Sequence, residues 1–167
     1  MSKVRYRLVI DTSVARAAGE AASAASSVAR QTLQDVLTIC HQAVMCEQLL
    51  REWRRHRSRF AARWLVSMFA RKKIVPLNTD ELPDLSLVLD ACGADKQRAI
   101  VAKDLHLVQA AQATDKRVLS YDDEAGLELG KLSSQVGLLR SISWMNPARC
   151  NSWGLPDPPT LCPPNQQ

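Results

Sequence analysis

Three aspartates in this chain stand where an ionised side chain needs a reason. "RLVID" (7–11) carries the apolar run Leu8-Val9-Ile10 straight into Asp11. An apolar run without alternation suits a strand buried on both faces, as in a parallel sheet. "RVLSYDD" (117–123) repeats the arrangement, with Asp122 just past an apolar segment and Asp123 beside it. Asp104 follows from helical spacing. Ile100, Val101, Leu107 and Val108 lie three or four positions from it, so all five side chains share one helix face. A carboxylate in such places costs free energy unless it is paired or ligated. For Asp104 a structural ion pair with Arg98 or Lys103 stands beside a functional role. Carboxylates gathered in one place raise one another's pKa, and a divalent cation reverses that cost. Mg²⁺ and Mn²⁺ take oxygen ligands and serve phosphoryl-transfer chemistry.

The elements around these acids decide whether they meet. Strands are expected near 7–10, 42–45, 74–77, 117–123 and 141–145. Between them "DTSVARAAGEAASAASSVARQTLQDVLTIC" reads as a short helix, a break near Gly19 and a longer helix over about 23–40. "CEQLLREWRRHRSRFAARWLVSMFARKK" reads as helix, with Trp53, Phe60, Trp64 and Met68 on one apolar stripe. Thr79 or Asp80 caps a helix that Gly93 stops. Residues 95–115 form a strong helix and 124–135 a weaker one. Alternating strands and helices imply an α/β fold. The expectation is a three-layer α/β/α sandwich around a central, mostly parallel sheet of about five strands. Ligands in such folds sit beyond the carboxyl ends of the strands. Asp11 and Asp122 both lie at such ends and should face one crevice if their strands are near neighbours. Residues 1–146 form the domain, and the Pro-rich stretch 147–167 is expected to be irregular or mobile.

Of 167 residues 46% are hydrophobic and 23% charged, the profile of a globular domain large enough for a real core. No apolar stretch reaches the roughly 18–20 residues that span a bilayer, and the first apolar run is too short for a signal peptide. The expectation is a cytoplasmic protein without a membrane partner. The five cysteines are odd in number and lack C-x-x-C spacing, which argues against a disulfide framework or a zinc site. The net charge of +5 is concentrated between Arg51 and Lys73, where nine Lys and Arg face the single acid Glu52. Arg51, Arg55, Arg59 and Arg63 recur every fourth residue as a basic stripe. That is a footprint for phosphate backbones. Phosphate-binding Gly-rich loops are absent from the sequence.

The chain resembles the PIN-domain nucleases, and within them the VapC-type toxin-like branch. "LVIDTSV" is similar to the family's opening strand with its D-T-N or D-T-S motif, which makes Asp11 the first metal ligand. "VMCEQLLREWRRH" resembles the second motif and selects Glu52, before Trp53, with Glu47 as the alternative. "KDLHLVQAAQATDKRVLSYDD" resembles the long third-acid helix and the fourth-acid strand end. It matches Asp104 and Asp122 to those acids, and Asp123 could replace Asp122. The match covers roughly residues 5–146. Ser13 stands where the family commonly has Asn, and Tyr121 where Gly is frequent.

The resemblance implies a metal-dependent endoribonuclease. Asp11, Glu52, Asp104 and Asp122 would hold Mg²⁺ or Mn²⁺, with Thr12, Ser13 and Asp123 in support. Cleavage would leave 5′-phosphate and 3′-hydroxyl ends. Arg51, Arg54, Arg55, Arg59 and Lys103 would hold RNA phosphates. The branch adds a possible toxin role, with a cognate antitoxin and a homodimer as partners. Two other readings stand beside it. One is a non-catalytic RNA-binding or assembly module that keeps the fold. The other is a phospho-acceptor receiver domain, which expects an early acidic pair and a late-strand Lys that the sequence does not supply.

Overall fold

The computed structural model describes residues 4–149. The chain opens with β1 (Arg7–Ile10), α1 (Thr12–Ala17) and α2 (Ala24–Ile39), then β2 (Gln42–Cys46). Next come α3 (Glu47–His56), α4 (Arg59–Ala70), β3 (Ile74–Leu77), a 3₁₀ turn at Thr79–Glu81 and α5 (Ser86–Asp90). The chain continues through α6 (Asp95–Gln112), β4 (Arg117–Leu119) and α7 (Asp123–Leu132). A second 3₁₀ turn, Gly137–Ser141, leads to β5 (Ser143–Met145). The fold is α/β. One five-stranded, all-parallel sheet runs in the order β3-β2-β1-β4-β5.

The strand order locates the functional edge. From β1 the chain steps outward to β2 and β3, then returns past β1 to β4 and β5. Right-handed crossovers in opposite directions put α1–α4 on one face and α5–α7 on the other. Packing agrees. Helix α1 touches α2 and α3, and α2 touches α4; α6 touches α5 and α7 and lies across β1, β2 and β4. Chain direction therefore switches between β1 and β4, and a crevice opens beyond their carboxyl ends. Val9 and Ile10 pair with Val118 and Leu119, which brings Asp11 level with Ser120.

The core follows the apolar pattern. Leu8, Val9, Ile10, Val44, Val118 and Leu119 are buried on both faces of the sheet. A second cluster, including Val88, Val101, Val108 and Leu129, fills the space among α5, α6 and α7. Trp53 is fully buried and its Nε1 donates to the carbonyl of Ile10, 2.8 Å away, so a core side chain fixes the strand end next to Asp11. Among the described residues no helix is long and apolar enough to cross a membrane.

Three expectations are corrected. The long helix over 46–73 is two helices. Ser58 starts a new one by accepting from Ala61 N, and its own N–H and hydroxyl donate to Ala15 and Ala18 carbonyls of the α1 segment. The basic residues at every fourth position therefore do not form one stripe. The helix expected over 79–93 shrinks to a 3₁₀ turn and the five residues of α5, because Pro83 and Asp84 interrupt it. The strand expected over 117–123 ends at Leu119. The Pro-rich stretch lies outside the described residues from Cys150 onward; residues 147–149 form a turn.

Candidate active site

Asp11 occupies the junction between β1 and α1. It is the N-cap residue of α1, yet its carboxylate does no capping. Oδ2 accepts instead from Ser13 Oγ at 2.6 Å and Ser120 Oγ at 2.8 Å. Each serine accepts in turn from a backbone N–H, Tyr121 to Ser13 and Asp122 to Ser120, both at 3.0 Å. A hydroxyl has one proton to give, so both serine protons are committed to Asp11. Both bonds fall on Oδ2.

Asp122 follows β4 and caps α7. Its Oδ1 accepts from Ala125 N and its Oδ2 from Lys103 Nζ, each at 3.0 Å. Burial pushes its pKa up, but the Ala125 N–H and the Lys103 ammonium outweigh that and hold the carboxyl below its usual range. Trp144 of β5 donates from Nε1 to the Asp122 carbonyl at 3.0 Å, which ties this acid to the sheet.

Asp104 comes from α6, on the opposite face from α3. It is 5% exposed and its Oδ2 has no hydrogen-bond partner. Burial, reinforced by the negative charges of Asp11, Asp122 and Glu52, pushes its pKa up to about 7 against the pull of Lys103. Glu52 reaches the same region from α3. Its Oε1 accepts from Gln48 Nε2 at 3.2 Å, and its Oε2 stands 3.2 Å from His106 Nε2, outside hydrogen-bond alignment. Burial holds the His106 pKa below its usual value, although Glu52 and Asp11 draw it upward.

Asp11, Glu52, Asp104 and Asp122 line one cleft of about 590 Å³ at the sheet's switch point. Compared with protein-family models, curated proteins and solved structures, the chain matches none. The chemistry of the cleft therefore rests on its own residues. The donor set is all oxygen, and Asp104 Oδ2 is a buried oxygen awaiting a partner, both of which suit a hard divalent cation. Asp104 and Asp122 stand within side-chain hydrogen-bonding reach, yet among the described residues no three His, Cys, Asp or Glu side chains form a ready-made ligand group.

The other sequence-selected residues divide into two groups. Thr12, Ser13, Lys103 and Asp123 also line the acid cleft. Thr12 is buried with an unpartnered Oγ1. Asp123 is exposed and held by Arg149 and Asn146, each at 2.9 Å. The arginines lie elsewhere. Arg51 pairs with Glu47 at 3.2 Å, and both line a neighbouring cleft of about 400 Å³. Arg54, Arg55 and Arg59 are exposed around the corner between α3 and α4. Sequence reasoning missed Ser120, fully buried against Asp11, and His106 beside Glu52. It also missed Arg16 and His56 in the cleft wall. Ser120 had a signal, a small polar residue between an apolar strand and Asp122. His106 had none, since two positions from Asp104 is not a same-face helical spacing.

Proposed function

We propose that the chain is a metal-dependent endoribonuclease, a phosphodiester hydrolase of the PIN type. One observation carries the reading. Four acids separated by up to 111 positions in the sequence line a single cleft where the sheet reverses direction, and one of them is buried with an oxygen unsatisfied. Asp11, Glu52, Asp104 and Asp122 would hold Mg²⁺ or Mn²⁺. When bound, the ion would supply Lewis-acid stabilisation of charge at phosphorus and make the gathering of acids favourable. Ser13 and Ser120 orient the Asp11 carboxylate. Asp122 is aimed by its capping bond and by Trp144. Lys103, on an exposed arm at the mouth, offers an ammonium to a substrate phosphate. The cationic corner of α3 and α4 would attract the RNA backbone.

The deciding experiment is cleavage of a labelled single-stranded oligoribonucleotide by full-length protein with Mn²⁺. Asp104→Asn keeps the volume and removes the charge. It should lower the rate by about 100-fold or more, since metal-site substitutions act at least at that scale. Wild-type rates in the variant would remove Asp104 from the site. A second reading, a non-catalytic RNA-binding module, is favoured by the absence of a preassembled ligand group among the described residues. RNA binding with no Mn²⁺ heat in calorimetry would select it. The toxin role, an antitoxin and a homodimer are supported by the resemblance alone, and a cytoplasmic location by the sequence's lack of a long apolar stretch.

A further inference from the structure

The free cleft already holds a cation, and it belongs to the chain. Lys103 Nζ sits 3.0 Å from Asp122 Oδ2. The Lys103 side chain is 70% exposed and its partner 24%, so the ammonium reaches in from solvent to a carboxylate that is mostly covered. Its sequence neighbour Asp104 lines the same cleft and carries a buried, unpartnered Oδ2. Six carboxyl groups line this cleft, against only Lys103 and Arg16 as permanent cations. Arg16 makes no ion pair among the described residues. Lys103 thus occupies an oxygen that a divalent ion would need, in the one place where it also offsets the mutual repulsion of the acids.

We propose that Lys103 is a tethered stand-in for the divalent ion: its ammonium holds Asp122 in the free protein, competes with metal for that carboxylate, and is displaced when metal binds. The inference rests on the metal-site reading above and adds a function for Lys103 that phosphate binding alone does not give. Competition by a tethered charge lowers ion affinity, and it keeps the acids satisfied while the site is empty. A surface-type ion pair is worth up to about 1 kcal/mol, which sets the scale of the effect at about two- to fivefold.

The test is calorimetric titration of full-length protein with Mn²⁺, with no RNA present. Lys103→Gln keeps the arm and removes the charge. It should bind Mn²⁺ about three- to fivefold more tightly than wild type. Lys103→Arg keeps the charge and should stay within about twofold of wild type. Arg16→Gln removes a cation from the same cleft that holds no carboxylate, and should change affinity less than Lys103→Gln. If all cationic deletions tighten binding equally, a general field effect replaces displacement and the proposal fails. Unchanged or weaker binding by Lys103→Gln also overturns it. In both cases the metal reading stands so long as wild type binds and Asp104→Asn does not. If neither wild type nor Lys103→Gln binds Mn²⁺ at millimolar concentration, the metal reading itself falls, and this proposal with it.

Discussion

At the residue scale, Asp104 is the side chain whose environment is least like water. Its neighbours on α6, Val101, Leu107 and Val108, are buried apolar groups, and the sequence spacing announced this. What the sequence did not announce is the missing partner. Arg98, one of the two cations weighed for it, donates to the Leu89 carbonyl and stands near Asp90, while Lys103 turns to Asp122. Burial and its acidic neighbours push the pKa of the carboxyl up to about 7 against the opposing charge of Lys103. The consequence for stability has a definite sign. Between about pH 4 and 7 the native protein keeps a proton that the unfolded chain has lost, so metal-free stability falls as pH rises through that window and levels off above it. The slope is at most about 1.4 kcal/mol per pH unit. His106 contributes oppositely: its lowered pKa means stability is lost as pH falls below its usual value. Both proteins share that term when Asp104→Asn is compared with wild type. In EDTA, the melting temperature of Asp104→Asn should therefore gain on wild type by several degrees between pH 4.5 and 7.5. Parallel melting curves across that range would place the Asp104 proton elsewhere.

At the scale of elements, the strands and long helices were legible and some of their ends were not. Parallel strands buried on both faces write themselves as apolar runs, and α6 writes its face every three or four residues. The turns that follow α2, α4 and α6 carry no such mark. Cys40, Lys72 and Lys116 take left-handed backbone conformations there, with φ of 72°, 55° and 60°, positions where glycine would have signalled a stop. The break at Ser58 was hidden because Arg57 and Arg59 continue a helical composition. Its cause is tertiary, the bonds from Ser58 to the α1 segment. Gly126 is a different case. A Cβ there would stand 2.5 Å from Trp144 Cδ1, so α7 lies against the indole only because this residue has no side chain. The same indole holds the Asp122 carbonyl. Gly126→Ala should cost about 1–3 kcal/mol by overpacking, despite alanine's better helix propensity. It should also lower RNA cleavage at temperatures where the variant remains folded. A variant as stable and active as wild type would mean that α7 and β5 separate without effect on Asp122.

For the whole molecule, the strand order turns scattered acids into one cleft and leaves the cationic surface to one side. The order itself was only partly legible, because crossover rules give handedness while the pairing of β1 with β4 depends on α6 crossing back over the sheet. Asp11 and Asp122 needed that pairing to meet. The arginine run is rearranged by the same architecture. Arg54 and Arg55 end α3, Arg59 begins α4, and His56 between them lines the acid cleft, so the cations gather at a corner beside it instead of extending along one helix. A net charge of +5 beside an acid-lined cleft would, on the proposed function, sort two tasks in space, a corner for a polyanion and a cleft for a cation. Such a division predicts separable effects. With Arg54, Arg55 and Arg59 all changed to Gln, affinity for a single-stranded oligoribonucleotide should fall, and the slope of log K against log salt should lessen by about 0.7 for each phosphate contact removed. The single-turnover cleavage rate at saturating RNA should hold within about threefold, since none of the three lines the cleft. A large loss of that rate with unchanged salt dependence would instead make the corner part of the reacting site.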